Sequence, residues 1–260
     1  MEFFDINTMI GRWPFNDLMF KTADGLCNEM DRLHISKAIV YHSMVALHTA
    51  GYSGNDYLAK EIAEYPQLIG AMACSPLVNV EYGGANALCD YMTKNRIGTF
   101  RLHPIEHGFT LHDWNMDELF ELADEKRVPV LIDLRLSGED YSEYYGNIHT
   151  LAKKYVNAPI VLLTVGYRHM RILMKLMEKC PNISVDTSTF ITYRGIEEIV
   201  KYFGSKRLLF GSRMPFIEGG VGIGRIIYAD ISDADKENIA YNNAARLLAE
   251  NKLIGAEVVK

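Results

Sequence analysis

Residues 97–103 read IGTFRLH, and this short stretch shows how the rest of the chain is organised. Its length and its β-branched and aromatic content predict a strand, in which successive side chains face opposite sides. The apolar Phe100 and Leu102 suit packing against helices. Arg101 and His103 then lie on the opposite face. A strand with helices against one face and polar side chains on the other is typical of the wall of a barrel enzyme.

Seven further runs of similar character occur along the chain, separated by longer segments with helical periodicity. The eight predicted strands cover residues 3–9, 38–42, 68–74, 97–103, 128–134, 160–165, 183–186 and 208–211. Eight alternations of strand and helix predict parallel pairing, because each crossover is long enough to hold a helix. The 260 residues therefore fit a single-domain α/β fold, a (β/α)8 TIM barrel over residues 1–260, with an additional C-terminal helix over 233–250. An open doubly wound sheet is the alternative.

The composition of the chain bears on its cellular location and on the kinds of partner it could bind. The net charge is −6, with both signs interspersed, which leaves no basic footprint for nucleic acid or an anionic membrane. No apolar run approaches the roughly 20 residues that span a bilayer, and the first residues lack the pattern of a signal peptide. The four cysteines are scattered, as expected for reduced thiols. We expect a cytoplasmic protein with no nucleic-acid or membrane partner.

The alternation test places polar side chains inside the barrel at the C-terminal ends of several strands. In the first strand it puts Asp5, Asn7 and Met9 inside. Phe4 and Ile6 are then expected to face the helices. The inward candidates for a site are Asn7, Arg101, His103, Asp133, Thr164, Asp186 and Arg213. Barrel enzymes build their sites at this end, so a site is predicted there.

Buried polar groups cost several kcal/mol unless they are paired, so this cluster needs an explanation. One explanation is a site for a ligand or substrate. The other is a self-satisfied network that plugs the mouth, in which Asp133 or Asp186 pairs with an arginine. Arg101 and Arg213 are the candidate partners, and both explanations stay open at this point.

Short motifs in a fixed order resemble those of a known family. They are FDIN at 4–7, GTFRLHP at 98–104, PVLI at 129–132, VDTS at 185–188, LFGS at 209–212 with PF at 215–216, and NNAARLL at 242–248. Together they resemble the amidohydrolase-related branch of the amidohydrolase superfamily, which includes small-molecule hydrolases, lactonases and decarboxylases. The match runs nearly end to end, and it implies the barrel fold and small-molecule chemistry at the mouth.

The same resemblance implies which positions would bind a catalytic metal. In this chain those positions do not hold the family's metal ligands. Asn7 and Met9 replace the His-x-His pair of the first strand. Asp133 and Thr164 replace the histidines of the fifth and sixth strands, and Arg213 replaces the catalytic aspartate of the eighth. We therefore expect no metal at the inherited site. The permanent charge of Arg213 is expected to stand in for that of the metal.

The leading hypothesis is an enzyme that works without metal. Asp133 or His103 would act as general acid or base. A small carboxylate-bearing substrate would be bound by arginines and neighbouring polar groups, and the reaction would be hydrolysis or decarboxylation by analogy with the family. The predicted substrate-binding residues are Arg12, Arg101, Arg213, Asn7, Thr164 and Asp186.

Three alternatives remain. The arginines could hold a small anion without catalysis, as in a pseudoenzyme. The barrel could be a scaffold that acts through oligomer contacts, and the resemblance allows a homo-oligomer. A displaced metal site could lie near His103, His107 and His112, since imidazoles suit zinc or iron.

Overall fold

The computed structural model describes residues 1–47, 51–134 and 142–255. Its strands are β1 (Phe3–Ile10), β2 (Ile35–His42), β3 (Leu68–Ala73), β4 (Ile97–Leu102), β5 (Val130–Asp133), β6 (Ile160–Leu163), β7 (Ile183–Asp186) and β8 (Leu208–Leu209). They pair in parallel in the order β1 to β8. A doubly wound sheet would reverse its strand order partway. The predicted (β/α)8 barrel is confirmed, and the open sheet is wrong.

Helices follow the strands as the periodicity predicts. They are α1 (Ala23–Leu33), α2 (Ser43–Leu47), α3 (Gly51–Ile62), α4 (Val78–Tyr82), α5 (Ala85–Lys94), α6 (Asp113–Lys126), α7 (Ser142–Lys154), α8 (Met170–Lys179), α9 (Gly195–Phe203), α10 (Gly219–Ile227), α11 (Asp233–Glu237) and α12 (Asn243–Ala249). Thr22 caps α1, its hydroxyl accepting from the amide of Gly25 at 3.2 Å. Within the described ranges, no helix is both long and apolar enough to cross a bilayer.

Backbone hydrogen bonds between β1 and the segment at and beyond the end of β8 bring the two ends of the sheet together. The amide of Ile6 donates to the carbonyl of Phe210 at 3.0 Å, and the amide of Arg213 donates to the carbonyl of Asn7 at 2.9 Å. We call this contact the seam. It places Asn7 and Arg213 beside each other at the mouth of the barrel.

Two apolar clusters lie on the two sides of the barrel wall. The outer one packs the strands against the helices. The inner one fills the barrel and is here called the apolar layer; its strand residues include Ile39, Leu131, Val161 and Leu209. All four are at most 1% exposed. The apolar layer lies below the polar side chains at the C-terminal strand ends. The interior of a closed barrel is a packed core of this kind.

The first strand departs from simple alternation. Asp5 and Thr8 are three residues apart but pair with residues of β2 that are only two apart, so β1 contains a bulge. Phe4 and Ile6 belong to the inner cluster, and the prediction that they face the helices is wrong. The bulge lets Asn7, which follows them directly, face inward as well.

The additional C-terminal helix is present, but its middle is not α-helical. A π-helical turn, Asn238–Asn242, connects α11 to α12. The carbonyl of Ile239 in this turn accepts from the amide of Phe210 at 3.0 Å. The side chain of Asn243 donates to the carbonyl of Leu208 at 2.8 Å. The helix thereby supplies polar partners to β8, which has only two residues.

Candidate functional site

Five strands direct one polar side chain each to a common point at the C-terminal end of the barrel. We call these residues the polar ring: Asn7 (β1), Arg101 (β4), Asp133 (β5), Thr164 (just after β6) and Asp186 (β7). Each is at most 2% exposed. The sequence predicted all five for the site, and the structure brings them together.

Arg101 lies at the centre of these contacts. Its Nη2 donates to Asp133 Oδ2 at 2.6 Å, and both terminal nitrogens donate to Asn7 Oδ1 at 3.1 Å. Its guanidinium carbon also lies 3.8 Å from the ring centre of Tyr41, a cation–π contact. Since arginine stays charged in proteins, the ring has a fixed positive charge in its interior.

The two carboxylates of the polar ring are fully hydrogen-bonded. Asp133 Oδ1 accepts from the Thr164 hydroxyl at 2.9 Å, and its Oδ2 accepts from Arg101. Asp186 Oδ1 accepts from the Thr164 amide at 2.9 Å, and Oδ2 accepts from Asn7 Nδ2 at 2.8 Å. The hydrogen bonds form a closed circuit through five residues, with the backbone amide of Thr164 making the link to Asp186, so burial of both aspartates is compensated.

Thr164 reaches the ring through an unusual backbone conformation. Its φ is 56°, in the left-handed region that a β-branched residue rarely adopts. Leu163 before it belongs to the inner cluster, so regular alternation would have turned Thr164 toward the helices. The left-handed turn directs both its amide and its hydroxyl to carboxylates. These two bonds offset a backbone cost of about 1–3 kcal/mol.

His103 lies beside the ring, just after β4, and is completely buried. Its Nδ1 is 3.9 Å from Asp133 Oδ2, and its ring centre is 5.5 Å from that of His107. His107 Nε2 is 2.6 Å from the carbonyl oxygen of Val45. The imidazole of His103 is therefore held next to a carboxylate inside the protein.

The displaced metal site is not assembled in the described part of the chain. His112 lies 3.6 Å from Glu143 and stacks on Trp114 instead of joining His103 and His107. Among the described residues, no three or more His, Cys, Asp or Glu side chains are grouped so that they could hold a metal ion.

Arg213 and Arg12 lie outside the ring. Arg213 has a left-handed φ of 62°, is half-buried, and carries its guanidinium 5.9 Å above the ring centre of Phe216. Arg12 is exposed, and its carbonyl accepts from the Ser43 hydroxyl at 2.7 Å. The expectation that the charge of Arg213 stands in for that of a metal stays a prediction. The guanidinium that bonds to the carboxylate and amide of the ring is that of Arg101.

Burial shifts the ionisation of two aspartates. It raises the pKa of Asp5 to about 6, although the amides of Asn7 and Ser212 donate to its Oδ1 at 3.0 Å each. Burial also raises the pKa of Asp186, against the opposing hydrogen bonds from Ser188, Asn7 and Thr164. Both carboxyls are therefore easier to protonate than exposed ones.

Sequence reasoning missed two residues that shape the site. One is Tyr41, whose ring contacts the guanidinium of Arg101. It lies two positions after Ile39 in β2, and residues two apart in a strand share a face, so the alternation of the strand could have identified it. Gly211 was missed because nothing local marks it. A Cβ there would lie 2.7 Å from Asp186 Oδ2 and 3.2 Å from Asn7 Cβ.

These features define a class of protein: a (β/α)8 barrel with buried polar and ionisable groups at the C-terminal strand ends, where barrel enzymes have their active sites. The family follows from the sequence. A family model described as "Amidohydrolase" matches residues 29–249, and the chain belongs to that family.

Several solved structures share the fold of this chain. An uncharacterised TIM-barrel protein from Bordetella bronchiseptica aligns with a TM-score of 0.76 and 15% identity, covering 96% of this chain and 99% of its own. A 5-carboxyvanillate decarboxylase from Novosphingobium aromaticivorans, complexed with manganese and 4-hydroxy-3-methoxy-5-nitrobenzoic acid, aligns with a TM-score of 0.75 and 15% identity, covering 95% and 96%. The decarboxylase LigW from Sphingomonas paucimobilis aligns at 0.72 and 13%, covering 95% and 98%. No curated protein sequence matches significantly.

The family implies a catalytic metal, and the residues of this chain do not fit one. By the sequence resemblance, the positions of the family's metal ligands hold Asn7, Met9, Asp133, Thr164 and Arg213, and none of these is a histidine. Met9 is fully buried in the inner apolar cluster. Asp133, the one carboxylate, is bonded to a guanidinium. This donor set lacks the imidazoles of the family's site.

Proposed function

We propose that this protein acts on a small, carboxylate-bearing molecule at the C-terminal mouth of the barrel, by hydrolysis or decarboxylation carried out by its own side chains. The observation that supports the proposal is the buried His103 held 3.9 Å from Asp133. An imidazole beside a carboxylate can move a proton at neutral pH, which either reaction requires.

His103 is the proposed general acid or base, and Asp133 the group that holds it. Both oxygens of Asp133 already accept hydrogen bonds, which favours His103 as the proton carrier. In decarboxylation it would deliver a proton to the carbon that loses carbon dioxide. In hydrolysis it would take a proton from the attacking water.

The rim arginines, Arg213 and Arg12, are proposed to bind the substrate carboxylate. Arg213 is half-buried and stacked on Phe216, and no carboxylate of the described residues pairs with it. A guanidinium fork in this state suits bidentate recognition of a carboxylate. Asn7, the Thr164 backbone turn and Asp186 would shape the floor of the site.

The structural neighbours add support by analogy. Two of those described above are decarboxylases of 5-carboxyvanillate, an aromatic acid. At 13–15% identity the likeness concerns the fold. It favours testing aromatic carboxylic acids first.

The test is a screen of aromatic and aliphatic carboxylic acids, lactones and amides, followed by mass spectrometry in buffer treated with chelator. For a substrate found in this way, His103→Asn should lower kcat by at least about 100-fold. His34→Asn makes the same change at an exposed position between α1 and β2 and should leave kcat unchanged. Arg213→Gln should raise KM more than it lowers kcat. Turnover by His103→Asn and Asp133→Asn at the parent rate would refute the proposal.

A second candidate is a binding protein without catalysis. The closed circuit of hydrogen bonds favours it, because all four carboxylate oxygens of Asp133 and Asp186 already accept hydrogen bonds. Calorimetric binding of a carboxylate that Arg213→Gln abolishes, with no turnover in the screen, would support this candidate. A homo-oligomer stays a prediction, which light scattering can check.

A further inference from the structure

The polar ring has the composition of a cation site. Apart from Arg101, its side chains present oxygen atoms: two carboxylates, one amide oxygen and one hydroxyl. They come from four different strands or strand ends and are buried together. Carboxylate, amide and hydroxyl oxygens are the donors that hard divalent cations prefer.

The guanidinium of Arg101 already occupies the position between the oxygen atoms where such a cation would bind. Asn7 Oδ1 and Asp133 Oδ2 both point at Arg101, at 3.1 Å and 2.6 Å. Arg101 comes from β4, and its side chain crosses the inside of the barrel to reach them. Two ionised aspartates buried without a cation would repel each other and lose their hydration, so a positive charge here stabilises the folded protein.

We infer that the guanidinium of Arg101 is the resident cation of an all-oxygen site in this barrel, in the role that a bound divalent ion would otherwise fill. The native protein then binds no divalent ion at the ring. Removal of the guanidinium frees Asn7 Oδ1 and Asp133 Oδ2 for a hard cation, while Thr164 and Asp186 hold these two residues in place. The inference does not depend on the reaction proposed above, because it concerns the cation alone.

The experiment compares Mn²⁺ binding by native protein and by Arg101→Ala, with free Mn²⁺ measured by electron paramagnetic resonance and Tm measured in parallel. Arg101→Ala should lose thermal stability in chelator and regain part of it with Mn²⁺. It should also bind Mn²⁺ at least about tenfold more tightly than native protein. Adding Asp133→Asn to Arg101→Ala should abolish that binding. Arg101→Lys, which keeps a cation, should not gain it.

Arg207→Ala is the matched control. Arg207 is also a partly buried arginine, but its guanidinium donates to the carbonyls of Met177 and Cys180, not to carboxylates. Arg207→Ala should lower Tm, but Mn²⁺ should neither bind more tightly nor restore that Tm. If Arg101→Ala binds Mn²⁺ no better than native protein or Arg207→Ala, the inference is overturned.

Measurements on native protein keep the inference testable if Arg101→Ala does not fold. If native protein binds any Mn²⁺, Asp133→Asn should bind the same amount, because that Mn²⁺ would lie outside the ring. A stoichiometric native site that Asp133→Asn abolishes would overturn the inference. No activity assay enters either comparison, so failure here and failure of the proposed reaction are distinguishable.

Discussion

The polar ring and the apolar layer occupy successive levels inside one barrel, and they are stabilised in different ways. Leu131 and Asp133 lie two residues apart on β5, both facing inward. Leu131 needs only neighbours of suitable volume, because burial of apolar surface has no direction. Asp133 needs particular donors at particular distances, because a buried charge without them costs several kcal/mol. The apolar layer should therefore tolerate change gradually, whereas the ring should fail when any one member is lost.

The largest effect is expected at Arg101. Arg101→Met should lower the free energy of unfolding by about 3–5 kcal/mol, because it leaves Asp133 buried without its cation. Leu131→Ala, in the apolar layer, should cost about 2–5 kcal/mol through the cavity it creates. Adding Asp133→Leu should restore stability to Arg101→Met but not to Leu131→Ala. Urea unfolding gives the free energy of unfolding of each variant. If Asp133→Leu changed the stability of Arg101→Met and of Leu131→Ala equally, the polar ring and the apolar layer would not differ in how they are stabilised.

Asp5 in the seam should give a pH dependence that the apolar layer lacks. Burial raises its pKa from 3.8 to about 6, so the folded protein holds this proton more tightly than the unfolded chain. Stability from this group is therefore fully present below about pH 4 and is lost as the pH rises through 6, by about 3 kcal/mol. Asp5→Asn keeps an oxygen for the two backbone amides and should remove this loss. Unfolding free energies from pH 4 to 8 that run parallel in both proteins would contradict the shift.

Gly211 tests how closely the ring is packed. Gly211→Ala should destabilise by about 2 kcal/mol, because its Cβ would lie 2.7 Å from Asp186 Oδ2. Gly224→Ala is the control: it lies in α10, and a Cβ there would meet nothing within 4 Å. That change should be neutral or stabilising by up to about 1 kcal/mol, since alanine favours the helix. The two melting temperatures should move in opposite directions or differ clearly; an equal shift would show that the ring can adjust.

The smallest effect on stability is expected at the rim. Arg213→Gln removes a half-exposed stacking contact with Phe216 and should cost less than about 1 kcal/mol. Its thermal melt should stay near that of the native protein while ligand binding weakens. A loss as large as that of Arg101→Met would place Arg213 in the ring rather than at the rim.

The barrel could be predicted from the sequence because eight strand-length runs alternate with helical patterns throughout the chain. Arg101, Asp133 and Asp186 of the polar ring could also be predicted, from inward positions at strand ends. Asn7 and Thr164 were predicted for the site too, but they face inward through the bulge in β1 and the left-handed turn after β6. Local alternation failed in β1, where the bulge lets the carboxylate of Asp5 accept from the nearby amide of Asn7 and from the amide of Ser212, 207 residues away. It failed at Arg213 for a similar reason, since a left-handed turn is set by the seam.

Which arginine would hold the central charge could not be read from the sequence. Arg101 and Arg213 are equivalent in residue type and in predicted direction. The choice depends on backbone turns and on side-chain reach across the barrel, which involve contacts between strands far apart in the chain. The π-helical turn at Asn238–Asn242, in which the carbonyl of Ile239 accepts from the amide of Phe210, was not predicted either.

The seam has a consequence for the order of folding. Ser212 donates to Asp5 across 207 residues of sequence, and the neighbouring bond joins the amide of Arg213 to the carbonyl of Asn7. Contacts that close so long a loop pay a large entropy cost and form slowly. We therefore expect closure of the barrel and positioning of Asn7 within the ring to be one event, late in folding. A chain that has paired β4 to β7 but has not closed the seam can join Arg101, Asp133, Thr164 and Asp186. It lacks Asn7, whose bonds to Arg101 and Asp186 close the circuit.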